Sequence, residues 1–434
     1  MDKTINKRII SNASWIILCR VFQSVINLFI GMISARYLGP SNYGLINYAG
    51  SIVAFLVPIA QLGFRSTLVQ EIINSPKNEG KVIGTVLVST TVSGCLSIVG
   101  IVTFVFFVNA NEIETIIVCL LYSISLLFQM LGLIEYWFQA KLLSKYTSVV
   151  TLIAYIIVSL YKVYLLITAK SVYWFALSQA LDYFIISVSL IAIYLKLSKQ
   201  KLTVSFKLFK VMFKKSKYYI VSDIMVMVYQ HTDKIMIALF LGNQINGYYS
   251  AAVTCAGVIA FVFSAIIDTA RPIILESQNI GNADFEKNMQ RLYAILLYLG
   301  LFQNLLFTIF ASLIVNILYG QDYSAAVPIL QIITWYSTFS YIGSARNIWI
   351  LAMGKQKYLL IINFLGAILN VLGNLLLIPL IGANGAAIAS VLTYVFANVI
   401  LCIIIKPMRP TVKLMISSLN PRILLDMIPK KEKK

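Results

Sequence analysis

A single histidine, five cysteines and sixteen acidic side chains in 434 residues leave this chain few of the groups that build active sites and metal centres. The histidine, His231, is followed by Thr232 and Asp233. On a helix, positions i and i+2 lie about 200° apart, so one site could not easily use both His231 and Asp233 as acid and base. Cys19, Cys95, Cys119, Cys255 and Cys402 all fall within apolar stretches and show no metal-ligand spacing, which reads as small core residues. There is no glycine-rich phosphate loop, no nucleophile elbow and no paired-carboxylate constellation in an aqueous segment. The sequence therefore predicts no catalytic residue, no metal site and no enzyme. Long polar segments are missing as well. The longest, 196–217, 271–290 and 406–434, are too short to fold as domains, so any function must live among the apolar runs.

Those runs dominate the chain. Hydrophobic residues make up 59% of it and the mean hydropathy is +0.85, against about 45–50% apolar residues for a soluble domain. Twelve stretches are long enough to cross about 30 Å of hydrocarbon as helix: roughly 12–36, 43–65, 82–108, 113–138, 147–168, 172–195, 218–241, 247–270, 291–318, 324–352, 358–381 and 383–405. Lys and Arg alternate with them. Of 35 such residues, 29 lie in alternate gaps, two (Arg36 and Lys170) in the other gaps, and four inside the runs. The positive-inside rule then predicts a multi-pass protein of the cytoplasmic (inner) membrane with both termini cytoplasmic. The net charge of +19 is mostly a topology signal and not the footprint of a nucleic-acid binder. The first run is long and interrupted by Arg20, and it reads as a signal-anchor.

The two halves repeat. Leu38-Gly39, Gly44 and Ala49 recur as Leu241-Gly242, Gly247 and Ala252, each 203 residues later. Trp137 and Lys145-Tyr146 recur as Trp349 and Lys357-Tyr358 at an offset of 212, so nine extra residues enter between these points, most simply in the longer loop 271–290. Six spans separate each copy from its partner. The repeats are thus expected to be parallel, related by an axis along the membrane normal, with a binding site where the halves meet. The domains predicted are residues 1–195, a six-helix bundle; 196–217, a basic linker; 218–405, a second six-helix bundle; and 406–434, a basic tail suited to anionic headgroups.

Charges inside apolar runs are functional candidates, because each costs at least about 2.5–3.5 kcal/mol to insert. Arg20, Gln23, Ser24, Asn27, Gly31 and Ser34 share one helical face, as do Asp223, Gln230 and Lys234. The 203-residue offset maps Arg20 to Asp223, Asn27 to Gln230 and Gly31 to Lys234, so both faces are expected to point into a central cleft. Arg20 and Arg346 present the planar fork suited to phosphate oxygens, and the competing reading for Arg20 is an ion pair with Asp223. Lys162 lies about 9 Å from the end of its run and can snorkel, or it can neutralise Asp182 on the next helix. Asp233 is a candidate for a coupling proton or cation, or for pairing with a neighbouring cation. Glu135 and Asp268 lie near run ends, where Asp268 and Arg271 are spaced for an i,i+3 pair. Pro58 and Pro379 mark bends.

Ordered motifs carry a resemblance. They are Arg36-Tyr-Leu-Gly-Pro-Ser-Asn-Tyr-Gly44, Glu135-Tyr-Trp-Phe-Gln-Ala140 and Asp233-Lys-Ile-Met-Ile237 followed by Leu241-Gly242. Gly247-Tyr-Tyr-Ser-Ala-Ala252, Asn370-x-x-x-Asn374, Ile378-Pro379 and Gly382-Ala-Asn-Gly-Ala-Ala387 complete the set. Together, over about residues 5–405, the chain resembles the polysaccharide repeat-unit flippases (Wzx type) of the multidrug/oligosaccharidyl-lipid/polysaccharide (MOP) exporter superfamily. The resemblance implies an all-α integral membrane fold, with twelve transmembrane helices in two six-helix bundles related by a pseudo-two-fold axis (MATE-like). It implies alternating-access movement of undecaprenyl-pyrophosphate-linked oligosaccharide, with Arg20, Lys162, Lys234 and Arg346 as cavity cations; Asn27 and Gln230 join them as expected substrate-binding residues. Asp182, Asp223 and Asp233 nearly balance those charges, as ion-coupling or charge-balancing groups. No cofactor is expected beyond a proton or sodium gradient. The partners implied are membrane lipids and the polymerase and chain-length proteins of the same pathway, with no nucleic acid. A drug/cation antiporter of the same superfamily is the rival; its cavity should be acidic and aromatic, which Arg20 argues against. A polysaccharide polymerase should carry a large external loop, which is lacking, and an acyltransferase finds no catalytic constellation. A lipid-linked peptidoglycan-precursor flippase should carry two more helices.

Overall fold

The computed structural model describes the backbone of residues 3–198 and 200–425, and the side chains of Cys19 and of residues 22–198, 200–278 and 281–423. Among the described residues there is no strand. The chain divides into two compact units, Met1–Met227 and Val228–Lys434. Unit 1 contains α1 (Lys3–Ala60), α2 (Leu68–Asn74), α3 (Glu79–Val108), α4 (Ile113–Ser123), α5 (Ser125–Leu131), α6 (Glu135–Ala140), α7 (Ser144–Ile167), α8 (Val172–Leu197) and the first part of α9 (Phe206–Leu241). Unit 2 takes the rest of α9, then α10 (Asn243–Ala256), α11 (Ala260–Ile280), α12 (Asn282–Ile309), α13 (Ala311–Tyr319), α14 (Ala326–Ile333) and α15 (Trp335–Ala352). It ends with α16 (Lys357–Ile381), α17 (Ala383–Val395), α18 (Leu401–Ile404) and α19 (Arg409–Ser417).

Nine helices among the described residues are long and apolar enough to cross a membrane, and α10 with α11, bent by 43°, makes a tenth. The difference from twelve runs lies in two places. α1 carries the first two runs on either side of Gly39, whose φ of 71° and ψ of 169° break the helix while Pro40 starts its second arm. The run 324–352 is shared by α14 and α15, separated only by Thr334, which keeps helical angles. Counting both arms of α1 and taking α14–α15 as one span recovers all twelve.

The repeat is written in the backbone. Gly242, 203 residues after Gly39, adopts the same conformation (φ 87°, ψ 170°), and Leu142 (φ 56°) recurs 212 residues on as Gly354 (φ 63°). Ala49 and Ala252 are both fully buried, and Trp137 and Trp349 both anchor the core of their own unit. Outward faces are apolar, as in Leu96, Phe107, Ile167 and Leu380, each more than 60% exposed. Polar side chains such as Thr90, Ser187, Asn304 and Asn370 are buried inward instead, the inversion that a hydrocarbon solvent demands.

The lysine-rich segment after α8 packs against unit 1. Gln200 accepts a bond from the Gly80 amide (3.1 Å) and donates to Pro76 O (2.8 Å). Residues 201–203 cross α3 at Gly80 and Gly84, where an added Cβ would stand 2.5 Å from Lys201 O and 2.5 Å from Thr203 O. Only glycine permits that approach. The Ser205 amide then bonds Thr85 Oγ1 (3.0 Å), and Lys215 pairs with Glu71.

Candidate functional site

In unit 2, α9, α10, α16 and α17 converge on one carboxylate. Asp233 is 5% exposed, although α9 runs through hydrocarbon depth. The turn after α16 brings its partners together. Pro379 ends the apolar run, Gly382 takes φ 64°, and Gly385 lies so near α16 that an added Cβ would stand 2.2 Å from Leu377 O. α17 can therefore return along α16, and Ser390 comes beside Asn370 and Asn374. Asp233 Oδ1 accepts from Asn370 Nδ2 (3.2 Å) and Asn374 Nδ2 (2.6 Å), and Oδ2 accepts from Tyr249 Oη (2.6 Å) and from Ser390 Oγ. All four donors are neutral. Asn374 also donates to Asn370 Oδ1 (3.2 Å), while its own Oδ1 is buried with no partner among the described residues. A carboxylate, an amide oxygen without a donor and two hydroxyls form an oxygen-rich cluster able to take up a proton or a small hard cation.

Beside this cluster is a cavity of about 320 Å³, which Asp233 shares with Gln230, His231 and Lys234 of α9 and with Tyr336 and Tyr394. The rings of Tyr229 and Tyr394 meet edge to face at 5.7 Å, and those of Tyr336 and Tyr394 at 5.0 Å. The predicted residues Gln230, Asp233 and Lys234 are thus brought together. Among the described residues no group of three or more His, Cys, Asp or Glu side chains could hold a metal ion.

The other predicted residues lie elsewhere. The Arg20 side chain is outside the described residues. Asn27, on α1, is exposed. Lys162 and Asp182, on α7 and α8, are half-buried charges that act on each other without an ion pair, and Asp182 Oδ1 is buried with no hydrogen-bond partner. Asp223 lies within the electrostatic reach of Arg65, and Asp268 and Arg271 form the i,i+3 pair at 3.8 Å. Arg346 is 3% exposed in the core of unit 2. Its Nη1 donates to Ala397 O (3.0 Å) and contacts Cys402 Sγ (3.9 Å), and Nη2 donates to Asn347 Oδ1 (3.1 Å). The segment Phe396–Ile400 is a π-helical turn, a widened coil that leaves the Ala397 carbonyl open to the guanidinium. Sequence reasoning did not assign Tyr249, Asn370, Asn374 or Ser390 to the site. The available signal was the pair of amides at i,i+4, Asn370 and Asn374, in the largely apolar α16.

The family model described as "Polysaccharide biosynthesis protein" matches residues 9–278, more than half of the chain. The chain belongs to the polysaccharide biosynthesis protein family. Over 209 residues it is 25% identical to the uncharacterized membrane protein MJ1068 of Methanocaldococcus jannaschii, a match spanning 46% of this chain and 40% of that protein's length. This family member shares its fold with the lipid II flippase MurJ in its inward closed conformation (TM-score 0.69, 15% identity, 96% of this chain and 93% of that one). An inward-facing multidrug resistance MATE family transporter of the MOP superfamily is similar as well (TM-score 0.66, 13% identity, 93% and 95%). So is a Pyrococcus furiosus MOP superfamily transporter described as having a binding pocket of reverse polarity (TM-score 0.58, 12% identity, 96% and 96%). These likenesses show the all-α, MATE-like membrane fold predicted from the sequence.

Proposed function

We propose that this polysaccharide biosynthesis family member is a flippase. It would carry undecaprenyl-pyrophosphate-linked oligosaccharide repeat units, of O-antigen, capsule or exopolysaccharide, across the cytoplasmic membrane by alternating access. The family match carries this reading, and the burial of polar and charged groups inside apolar helices supports it. Lys234 is the cation of unit 2 assigned to the pyrophosphate headgroup, with Gln230 as a polar contact beside it. Lys162 and Asp182 are assigned to mutual charge balance. Arg346, whose Nη1 and Nη2 donate to Ala397 O and Asn347 Oδ1 while its Nε is buried with no partner among the described residues, is assigned to holding α15 to the turn after α17. The Asp233 cluster is assigned to coupling, by a proton or by sodium; the unpartnered Asn374 oxygen favours a cation.

One observation favours a second reading. A carboxylate beside Tyr229, Tyr336 and Tyr394 is an acidic, aromatic lining, which suits an organic cation. Deleting the gene separates the two. A flippase predicts lipid-linked oligosaccharide accumulating where externally added glycosidase cannot reach it, with drug susceptibility unchanged. Normal surface polysaccharide together with heightened sensitivity to cationic drugs would replace the flippase reading with the exporter.

A further inference from the structure

Between Lys196 and Ser222 there are eight lysines and no acidic residue. Solvation would explain such a run in a free loop, but this one is fastened to unit 1 as the start of α9. We infer that its outer face is a docking surface for anionic lipid headgroups of the leaflet it faces, and that this contact braces unit 1.

The ties set its depth. α3 has 30 residues, about 45 Å of helix against about 30 Å of hydrocarbon. Shared between its two ends, the surplus leaves about 7 Å outside on each side. The Ser205 amide bonds Thr85 Oγ1 at 3.0 Å, and Thr85 stands about 9 Å along α3 from Glu79. The start of α9 is therefore held where hydrocarbon meets headgroups. The other end of the segment is fixed at Leu62 and Gly63, both left-handed (φ 52° and 67°). A Cβ on Gly63 would stand 2.4 Å from Ser216 O, and Ser216 Oγ donates to Leu62 O at 2.8 Å.

Between these ties the helix has two faces. Phe209, Met212, Phe213 and Ser216, at i, i+3, i+4 and i+7, turn toward the core of unit 1. Lys207, Lys210, Lys214 and Lys217, at i, i+3, i+7 and i+10, make an exposed stripe on a separate face. Apolar side chains flank the stripe: Phe206 and Tyr218 are each 69% exposed and Val211 is 47% exposed. Lys210 lies 4.8 Å over the Phe206 ring and Lys217 lies 5.1 Å over the Tyr218 ring. Among the described residues none of the four lysines forms an ion pair, and Glu71 is taken by Lys215.

Charge beside exposed apolar side chains, at this depth, matches a headgroup layer with phosphates on one side and acyl chains on the other. The lysine stems let the ammonium groups reach the phosphates while Phe206, Val211 and Tyr218 stay in the acyl boundary. A nucleic acid or an acidic protein would meet the charges and leave those three side chains in water. Because the same segment holds Thr85 and the Leu62 turn, headgroups that hold the stripe hold the clasp closed. The lipid contact is independent of the cargo assigned under Proposed function.

The test compares full-length protein in nanodiscs of phosphatidylcholine alone with nanodiscs of an equal mixture of phosphatidylcholine and phosphatidylglycerol. A bimane on Val211→Cys, in a background lacking the native cysteines, reports contact with a nitroxide carried on lipid headgroups. Quenching should rise several-fold in the mixed discs, and the unfolding temperature should rise with it. Replacing Lys207, Lys210, Lys214 and Lys217 together by glutamine should remove both responses without shifting unfolding in detergent, and single Lys→Gln changes should each remove part. Arginine at the same four positions should preserve both responses. The assignment is overturned if neither readout responds to phosphatidylglycerol, or if the glutamine variant responds as the wild type does. It is overturned equally if inorganic phosphate or an RNA oligomer, added to phosphatidylcholine discs, raises the unfolding temperature as much as phosphatidylglycerol does.

Discussion

Replacing Asp233 by alanine removes the acceptor of four buried donors at once. A buried donor left without a partner costs about 1–3 kcal/mol. The hydroxyls of Tyr249 and Ser390 can turn toward the adjoining cavity of about 320 Å³, which both line, and find water there. The Asn370 and Asn374 amides, both at 0% exposure, have no such outlet. The penalty then falls mainly on two groups, and Asp233→Ala should lose about 2–6 kcal/mol. Asp233→Asn keeps the shape and one acceptor oxygen, so part of the network survives. That variant should lose only about 1–2 kcal/mol while lacking the charge. Thermal unfolding of the purified full-length proteins should rank wild type above Asp233→Asn and Asp233→Ala last, and surface polysaccharide should fall sharply in both variants. An alanine variant as stable as wild type would refute the network. An asparagine variant with full export would refute a coupling role for the charge.

The remaining predictions are shorter. If the Asp233 cluster holds sodium, adding sodium chloride in place of choline chloride should raise the unfolding temperature of the wild type and leave that of Asp233→Asn unmoved; equal shifts in both would remove the cation. Arg346→Ala should leave little folded protein, with export per folded molecule unchanged, as quantified by monodisperse yield against surface polysaccharide; a well-folded but inactive variant would return Arg346 to the substrate path. Gly63→Ala should destabilise by at least about 1–2 kcal/mol because an L side chain strains the left-handed region, whereas Gly132→Ala, at φ −62° with open space around it, should not; equal melting of the two variants would contradict this. Single cysteines at Ser205 and Ser418, in a background lacking the native cysteines, should resist an impermeant thiol reagent in intact cells, and strong labelling at both would overturn the orientation read from the lysines.

The spans were legible because period and length alone decide them, and the 203-residue match of Gly39 with Gly242 was legible too, although the helix breaks at those two positions were not read from it. Asp233 was legible as a charge in an apolar run. Its partners were less so, since Asn370, Asn374 and Ser390 reach it across 137, 141 and 157 residues of chain. No local pattern encodes contacts of that range. Arg346 looked like a cavity cation because charge avoids lipid. Its guanidinium instead donates to the Ala397 carbonyl and to Asn347 Oδ1, and the π-helical turn that exposes Ala397 O has no mark in the residue pattern. The lysines of 196–217 read as a linker because charge is solvated in loops, yet the spacing of Gly80 and Gly84 was the visible trace of a backbone crossing.

That crossing bears on how the polypeptide is made. Residues 201–216 tie back to Gly80, Thr85, Glu71 and Leu62, segments synthesised well over a hundred residues earlier. When α8 has just emerged from the ribosome, the groove on α3 is still open and the left-handed turn at Leu62-Gly63 is unsupported. The first bundle can close only after the start of α9 has been translated. A fragment ending at residue 195 would therefore expose an unfilled glycine groove, while one carried through residue 217 would bring its own clasp. Separately expressed halves should reassemble in cells when divided after that clasp and fail when divided before it.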